Sequence, residues 1–478
     1  MRVVLATPPR SPQRNTGNYL PPMHLAYIGA SVREMEEVQV VLVDAGGEGL
    51  LVDDAADRIL EADPDLIGLS VTSCDIRRSL QLLVLVKAAR PDVTTVLGGQ
   101  HPTSFDRLFL EHVPQVDMVM RGEVDLSFPE LLRRLADNES IADVPGLSYR
   151  ADGKIIRGRP QVVWDLDAVE FPDRSLYDEK NYFLNVLGID LGQTQLLRAT
   201  PIITSRGCPH QCTFCSKLTP RHHKYRARSP ENILQEILQL NRENYELIVF
   251  TDENFTFDVG RLKRICQLLV RQNLNMRFIF QGTVHNLSQP TLRLMRSAGF
   301  VMAIVGIESG SDSQLKRYRK AASSGAIAAG IGRAKEAGLL VHGSFIYGGP
   351  GETAGDRAAT RRFIRNVRLH SCTMYELSLY PGTEIWDNLC GNSPPKTLED
   401  TRNRTITSIP HQIDGEAIVV EIKRFWRAFA ASWFHYSRLL DLMLLANNPL
   451  FRLVQNKRGV FSMLWAFLQL LGGRQRYR

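Results

Sequence analysis

The chain has 478 residues, 44% of them apolar and 23% charged, an ordinary globular balance with room for two or three domains of about 100–200 residues and no support for a fibrous or disordered class. Seven cysteines in a chain this long, with no secretory signal over residues 1–11, argue against a disulfide scaffold and for a reducing, cytoplasmic compartment. The net charge of +7 is local: residues 421–478 hold ten Lys or Arg against Glu421 and Asp441, so the first 420 residues are close to neutral and do not read as a nucleic-acid-binding groove.

In chain order, short aliphatic runs at Val3–Ala6, Val38–Val43, Leu66–Val71, Val93–Leu97 and Asp117–Met120 read as strands. They lack strict alternation, as strands covered on both faces of a parallel sheet do. Helical patterns separate them, such as Asp75–Ala89 with Leu80, Leu83, Val84 and Val86 at helical spacing and Pro91 closing it. The fold class is therefore α/β, opening with a doubly wound, Rossmann-like domain over residues 1–147. Gly153, Gly158, Pro160 and Pro172 then break the rhythm, and residues 148–197 read as a linker around a short Lys154–Ile156 run. Strands resume at Pro201–Thr204, Leu247–Thr251, Arg277–Gln281, Val301–Ile307, Leu340–Tyr347 and Thr373–Leu379. Six βα repeats over residues 198–391 predict a partial (βα)6 barrel, whose chemistry gathers in the loops after its strands. Ser229 and Pro230 mark the start of one intervening helix, with Ile233, Leu234, Ile237 and Leu238 as its buried stripe. Residues 392–478 read as a helical, basic and aromatic C-terminal region.

Directly after the first barrel strand stands Ser205-Arg206-Gly207-Cys208-Pro209-His210-Gln211-Cys212-Thr213-Phe214-Cys215. Three thiolates at CxxxCxxC spacing in one loop suit an iron–sulfur cluster, in which three protein ligands leave one of four irons open to a small molecule. The alternative is a zinc site, but zinc wants a fourth protein ligand, and His210 sits at a strained place for that role inside the loop.

On these residues the chain resembles the radical S-adenosylmethionine (SAM) superfamily, and the resemblance extends over most of its length. It implies a 4Fe-4S cluster on Cys208, Cys212 and Cys215 whose open iron takes the amino and carboxylate groups of SAM, leading to a 5′-deoxyadenosyl radical. Phe214 resembles the residue beside the adenine. Thr251-Asp252-Glu253-Asn254 resembles the segment that meets the SAM amino group, with Asp252 and Glu253 as candidates. Gly306-Ile307-Glu308-Ser309-Gly310 is similar to the ribose and carboxylate motif, with Glu308 and Ser309 as contacts. Gly343-Ser344-Phe345-Ile346-Tyr347-Gly348-Gly349-Pro350-Gly351 is similar to the glycine-rich adenine motif, with Gly343 and Gly348 as the close-approach positions. The amino-terminal domain resembles the cobalamin-binding domain of the subgroup that includes radical SAM methylases and the anaerobic magnesium-protoporphyrin monomethyl ester cyclase. The matching loops supply Ser70, Thr72 and Ser73, then Gly98, Gly99 and His101, then Gly122 and Glu123, each at a predicted carboxyl end of a strand, where open α/β sheets bind ligands. The DxHxxG signature that supplies a histidine to cobalt is absent: Asp44 is followed by Ala45-Gly46-Gly47. The implied lower axial position is open or held by water.

Other residues have plainer readings. Cys266 falls in a helical stripe with Leu262, Ile265 and Leu269 and reads as a core thiol. Cys74 either faces the corrin or is buried, Cys372 and Cys390 are too few for a second cluster, and His222 and His223 lie in a basic loop. Residues 421–478 carry Trp426, Trp433 and Trp465, yet the longest apolar run, Val460–Leu471, is about half of a bilayer span. Aromatics mixed with cations suit either peripheral contact with the inner face of an anionic membrane or packing on the barrel.

The resemblance implies a cobalamin-dependent radical SAM methyltransferase acting at an unactivated carbon of a lipophilic or tetrapyrrole-like small molecule. It also implies an electron donor such as flavodoxin or ferredoxin. The alternative with the same cofactors is an oxidative cyclase of the anaerobic porphyrin type. Transfer-RNA methylthiolation would call for a further amino-terminal cysteine triad, whereas only Cys74 precedes the loop, and a non-catalytic cobalamin carrier would have no use for the triad. No catalytic group beyond the cluster is assigned by the sequence.

Overall fold

The computed structural model describes residues 1–9, 20–182, 185–186, 189–190, 197–216, 224–390, 396–397 and 424. The chain divides into two compact units, one of residues 1–182 with 216–223 and 379–407, the other of residues 183–215, 224–378 and 408–478. Apart from residues 396–397 and 424, the sequence-predicted C-terminal region lies outside the described residues, as does the His222–His223 loop.

In the first unit, strands β1 (Arg2–Thr7), β2 (Gln39–Asp44), β3 (Leu66–Ser70), β4 (Thr94–Gly98) and β5 (Met118–Met120) alternate with helices α1 (Met23–Ser31), α2 (Val52–Leu60), α3 (Ile76–Ala89), α4 (Gln100–His112) and α5 (Ser127–Ala136). The five strands are parallel in the order β2-β1-β3-β4-β5. Side chains along a strand alternate between faces, and both faces are covered: Val4, Ala6, Ile67, Leu69 and Leu97 pack under α2, α3 and α4, while Val3, Leu5, Leu66 and Val96 pack with Leu25 of α1 and Phe128, Leu131 and Leu132 of α5. That two-sided burial explains why these strands read as unbroken aliphatic runs. The strand order reverses between β1 and β3, which places a ligand crevice at the carboxyl ends of the strands there.

The sheet continues past its expected end. β6 (Leu147–Ala151) and β7 (Lys154–Arg157) add to β5 as an antiparallel hairpin, making seven strands. Asp152 and Gly153 both have positive φ, 49° and 71°, the signature of a two-residue type I′ turn. The residues read from sequence as the start of the linker are thus the last two strands of the sheet.

In the second unit, β8 (Asn185–Val186) and β9 (Ile189–Asp190) form a small antiparallel pair. β10 (Ala199–Ile202) begins the main sheet, and β11 (Ser205–Arg206) and β12 (Arg226–Ala227) pair antiparallel. Then follow α6 (Pro230–Arg242), β13 (Leu247–Phe250), α7 (Val259–Gln272), β14 (Arg277–Gly282), α8 (Gln289–Ser297), β15 (Phe300–Glu308), α9 (Asp312–Arg317), α10 (Ser324–Glu336), β16 (Leu340–Tyr347), α11 (Ala354–Val367) and β17 (Ser371–Glu376). A last described helix, α12 (Glu384–Cys390), returns to the first unit. The order β10-β13-β14-β15-β16-β17 is all parallel and follows the chain. Side chains of Ser229, Asp258, Ser288, Ser323 and Thr353 cap α6, α7, α8, α10 and α11, each typically worth about 1 kcal/mol.

One face of this sheet is dry: Ile248, Phe250, Phe278, Phe280, Ala303, Val305, Val341 and Phe345 pack against the helices in a single core. The other face carries Gln281, Ile304, Gly306, His342, Ser344 and Thr373, all partly or well exposed. The same opposite face is buried at Leu247, Val249, Ile279 and Met302, so it opens only in part; helices on one side fit a partial (βα)6 barrel, and the six parallel strands place their carboxyl ends around one mouth.

Candidate functional site

The cysteine loop leaves β11 and returns at β12, so two ladder pairs, Ser205 with Ala227 and Arg206 with Arg226, close its base. The base is clamped from below. Arg261 donates from Nη2 to the Thr204 carbonyl at 2.7 Å and from Nε to the Arg228 carbonyl at 2.9 Å. Arg228 donates to the Ile203 carbonyl at 3.1 Å and pairs at 2.5 Å with Glu236, which is fully buried. Cys208 and Cys212 are half-buried and Cys215 is exposed, all outside any disulfide. Among the described residues no three His, Cys, Asp or Glu side chains converge as a single metal ion requires. Thiolates on a cubane bind different irons and stand farther apart than the ligands of a single zinc ion. Near the thiols lies Lys320, its ammonium 3.0 Å from Glu308. Burial alone would push Lys320 down, but Glu308, Cys212 and Cys208 outweigh it and hold it above the ordinary lysine range. A buried cation beside sulfur donors favours their thiolate form.

The strand-end candidates separate by environment. Asp252, just past β13, is 1% exposed. Its Oδ1 accepts from Thr204 N at 3.1 Å, from Thr204 Oγ1 at 2.9 Å and from the Ser205 hydroxyl, and its Oδ2 is also enclosed by protein, without a hydrogen bond. Burial raises its pKa against the pull of Ser205, Arg261 and Thr204. Of the two acidic candidates for the SAM amino group, Asp252 is therefore turned inward and holds the cysteine loop, whereas Glu253 is exposed. Glu308 sits at a bulge between β15 and β16 with φ +66°, a backbone state rarely taken by a non-glycine residue and one that accumulates at functional sites. Gly306 lies beside it, where a Cβ would press on the Glu308 carboxylate and come 3.3 Å from Lys320 Nζ. Ser309 is buried and shares a 3.1 Å hydrogen bond with Thr360 of α11. Gly343 does not open onto the mouth. A Cβ on it would come within 2.6 Å of both Ile307 and Leu369, so its smallness serves core packing, a correction to its reading as a close-approach position. Gly348 differs from it: φ is +79°, and a Cβ there would meet nothing within 4 Å.

In the first unit, Gly99 bends the loop after β4 at φ +95°, and a Cβ on it would lie 2.7 Å from the Val71 carbonyl and 3.2 Å from Ser70 Oγ. The β3 and β4 loops are thus pressed together beside the switch point, with Thr72 exposed, Gly98 half-buried and Thr72 donating to Asp75 at 2.6 Å. His101 and Ser73 differ from expectation. His101 is 0% and Ser73 2% exposed. They bond to each other at 2.9 Å, and the imidazole packs on Phe105 and Phe109 at 4.8 and 5.9 Å. These two residues brace the loops from inside rather than present side chains to a ligand, and burial pulls His101 down to about 3, which keeps the ring neutral. Glu123 accepts from Val163 N at 3.0 Å, and Gly122, at φ +82°, donates to Thr103 at 3.3 Å. Cys266 is a core thiol, pushed up to about 12 by burial. Lys320, Tyr318 and Arg261 carried no sequence signal; each reaches the site only through tertiary packing.

A doubly wound sheet followed by a partial barrel with a three-thiol loop after its first strand defines a radical SAM protein with a B12-binding domain. Residues 202–364 match the Radical SAM superfamily and residues 13–132 the B12 binding domain, and the chain belongs to the cobalamin-binding branch of the radical SAM superfamily. Among its relatives, an uncharacterized methyltransferase of Pyrococcus horikoshii is 28% identical over 86% of this chain and 87% of its own length. The anaerobic magnesium-protoporphyrin IX monomethyl ester cyclase of Synechocystis is 25% identical over 99% and 92%. The solved structure of the radical SAM methyltransferase TsrM from Kitasatospora setae, with cobalamin and a [4Fe-4S] cluster bound, superimposes with a TM-score of 0.70 at 14% identity, covering 89% of this chain and 88% of that one.

Proposed function

We propose that this chain is a cobalamin-dependent radical SAM methyltransferase acting on an unactivated carbon of a lipophilic or tetrapyrrole-like small molecule. The observation that carries it is the three-thiol loop clamped at the barrel mouth beside Lys320 and Glu308. The residues fit the groups the family implies: three sulfur donors without a fourth suit a 4Fe-4S cluster with one open iron, the open space beside Gly348 suits a planar base, and the tight Gly99 turn beside Ser70 suits a corrinoid tail. When bound, the cluster with SAM supplies a 5′-deoxyadenosyl radical and cobalamin carries the methyl group. The protein's part is to hold and orient. Cys208, Cys212 and Cys215 hold the cluster, and Arg261, Arg228 and Asp252 fix the base of their loop. Glu253 and Glu308 would meet the cationic and hydroxyl groups of SAM, and Ser70, Thr72 and the backbone at Gly98 and Gly99 would line the B12 side, braced by Ser73 and His101. An electron donor such as flavodoxin or ferredoxin, and peripheral membrane contact through residues 421–478, complete the proposal.

Anaerobic incubation of the reconstituted protein with methyl-labelled SAM and candidate lipids or tetrapyrroles tests it. A product heavier by one labelled methyl supports methyl transfer, and an unlabelled, oxidised product with a new ring would give the cyclase reading instead. Cys208→Ala, Cys212→Ala or Cys215→Ala should each abolish 5′-deoxyadenosine formation and most of the iron–sulfur absorbance, while Cys266→Ala spares both. A triple variant that kept a full cluster would refute the ligand assignment.

A further inference from the structure

Tyr318 stands immediately after α9, 0% exposed, and two loops of the candidate SAM site rest on it from opposite sides. On the cysteine-loop side, its carbonyl accepts from Thr213 N at 3.1 Å, the Thr213 hydroxyl donates to the neighbouring Arg317 carbonyl at 3.3 Å, and its ring meets Phe214 edge-on at 5.0 Å. On the other side its hydroxyl lies against Gly349 of the glycine-rich loop. A Cβ added to Gly349 would collide with that hydroxyl and with the Gln314 amide, and would come 2.7 Å from Tyr318 Cζ. The support beneath is stiff. Arg317 pairs with Asp356 at 2.6 Å and donates to Gln314 at 2.8 Å, and Asp356 also accepts from the hydroxyls of Ser311 and Ser313 and from Thr353, the N-cap of α11. Burial pushes the Tyr318 phenol up, so it stays a neutral, rigid spacer.

We propose that Tyr318 is a positioning residue that couples the two loops: the seating of Gly348–Gly351 on SAM and the orientation of Phe214 and the flanking thiols are set together through one phenol. A close-packed interior passes a displacement on rather than absorbing it, and a side chain with two torsions held at both ends has nowhere else to go. The inference rests on the radical SAM reading above.

Its test uses the full-length protein, reconstituted anaerobically and reduced, with the cluster read by electron paramagnetic resonance and SAM affinity by equilibrium binding. Gly349→Ala places a methyl group where the phenol stands. The expected result is a weakening of SAM binding by about tenfold or more, together with an altered cluster signal before any SAM is added. Tyr318→Phe combined with Gly349→Ala removes the hydroxyl from the collision and should recover part of both losses. An unchanged SAM-free cluster signal in Gly349→Ala, or strictly additive effects in the double variant, overturns the coupling. Should Gly349→Ala not fold, Tyr318→Leu decides: loss of the ring must change both readouts, and a change confined to one rejects the proposal. A wild-type protein with neither cluster nor SAM binding would instead remove the underlying radical SAM reading.

Discussion

Asp252 and Glu253 are neighbours with opposite surroundings, and substitution should separate them. Asp252→Ala strips the Thr204 amide and two hydroxyls of their acceptor in a buried place, a loss of about 1–3 kcal/mol for each buried polar group left unmet, so a clear fall in melting temperature is expected. Glu253→Gln should leave melting unchanged and weaken SAM binding; the reverse pattern in calorimetry and binding would reassign the two. His101 gives a prediction of another kind. Buried, it titrates at about 3, whereas the unfolded chain protonates it near pH 6.5. Below that pH the unfolded state therefore holds more protons, so the His101 contribution is complete above about pH 6.5 and is lost progressively as the pH falls toward about 3, at up to about 1.4 kcal/mol per pH unit. His101→Gln should flatten this dependence between about pH 7.5 and about pH 5, as read from urea midpoints; parallel curves would show that His101 is already charged in the fold.

The junction of α9 and α11 makes a sharper case at the level of elements. Thr353 and Asp356 form a reciprocal cap on α11, and Asp356 also gathers Ser311, Ser313 and Arg317. Burial would raise its pKa, but the hydroxyls of Ser311 and Ser313 and the Thr353 contacts hold it well below the usual carboxylate range. Thr353→Ala should cost about 1 kcal/mol, as caps do, and Asp356→Ala distinctly more; equal costs in thermal unfolding would mean that α9 is not tied to α11 through this carboxylate. Which of these elements were legible in the sequence follows from what each buries. The parallel strands of both sheets were, because their buried residues write them as aliphatic runs, and so was α6, whose Ser229 and Pro230 begin it as expected. The hairpin of β6 and β7 was missed because Gly153, Gly158 and Pro160 outweighed an Asp-Gly turn between two short runs. In the site, the cysteine loop announces itself through spacing alone. Gly343 misled because a glycine marks close approach without saying whether a ligand or Leu369 approaches. Lys320 and Tyr318 were invisible because they come to the thiols only when the chain turns back after α9.

At the scale of the whole molecule, no helix among the described residues is long and apolar enough to cross a membrane. The proposed membrane contact therefore rests on residues 421–478 and their ten cationic side chains, each worth roughly 1 kcal/mol near an anionic surface. The full-length chain should sediment with anionic vesicles at low salt and less so at high salt, and a version ending near residue 415 should not; equal binding by that folded truncation would refute the segment's role. The hairpin that closes the first sheet bears on a different hazard. Ending at β5, the sheet would offer Met118–Met120 as an open row of amide and carbonyl groups, a template for another chain. β6 covers that row, and the new border, β7, is four residues long with Lys154 and Arg157 at its ends, the short charged edge that discourages strand addition. The same hairpin that lengthens the B12-side sheet thereby blunts this edge of it, and Lys154→Val, which leaves Val-Ile-Ile along that border, should scatter more light on standing than the parent chain at equal concentration.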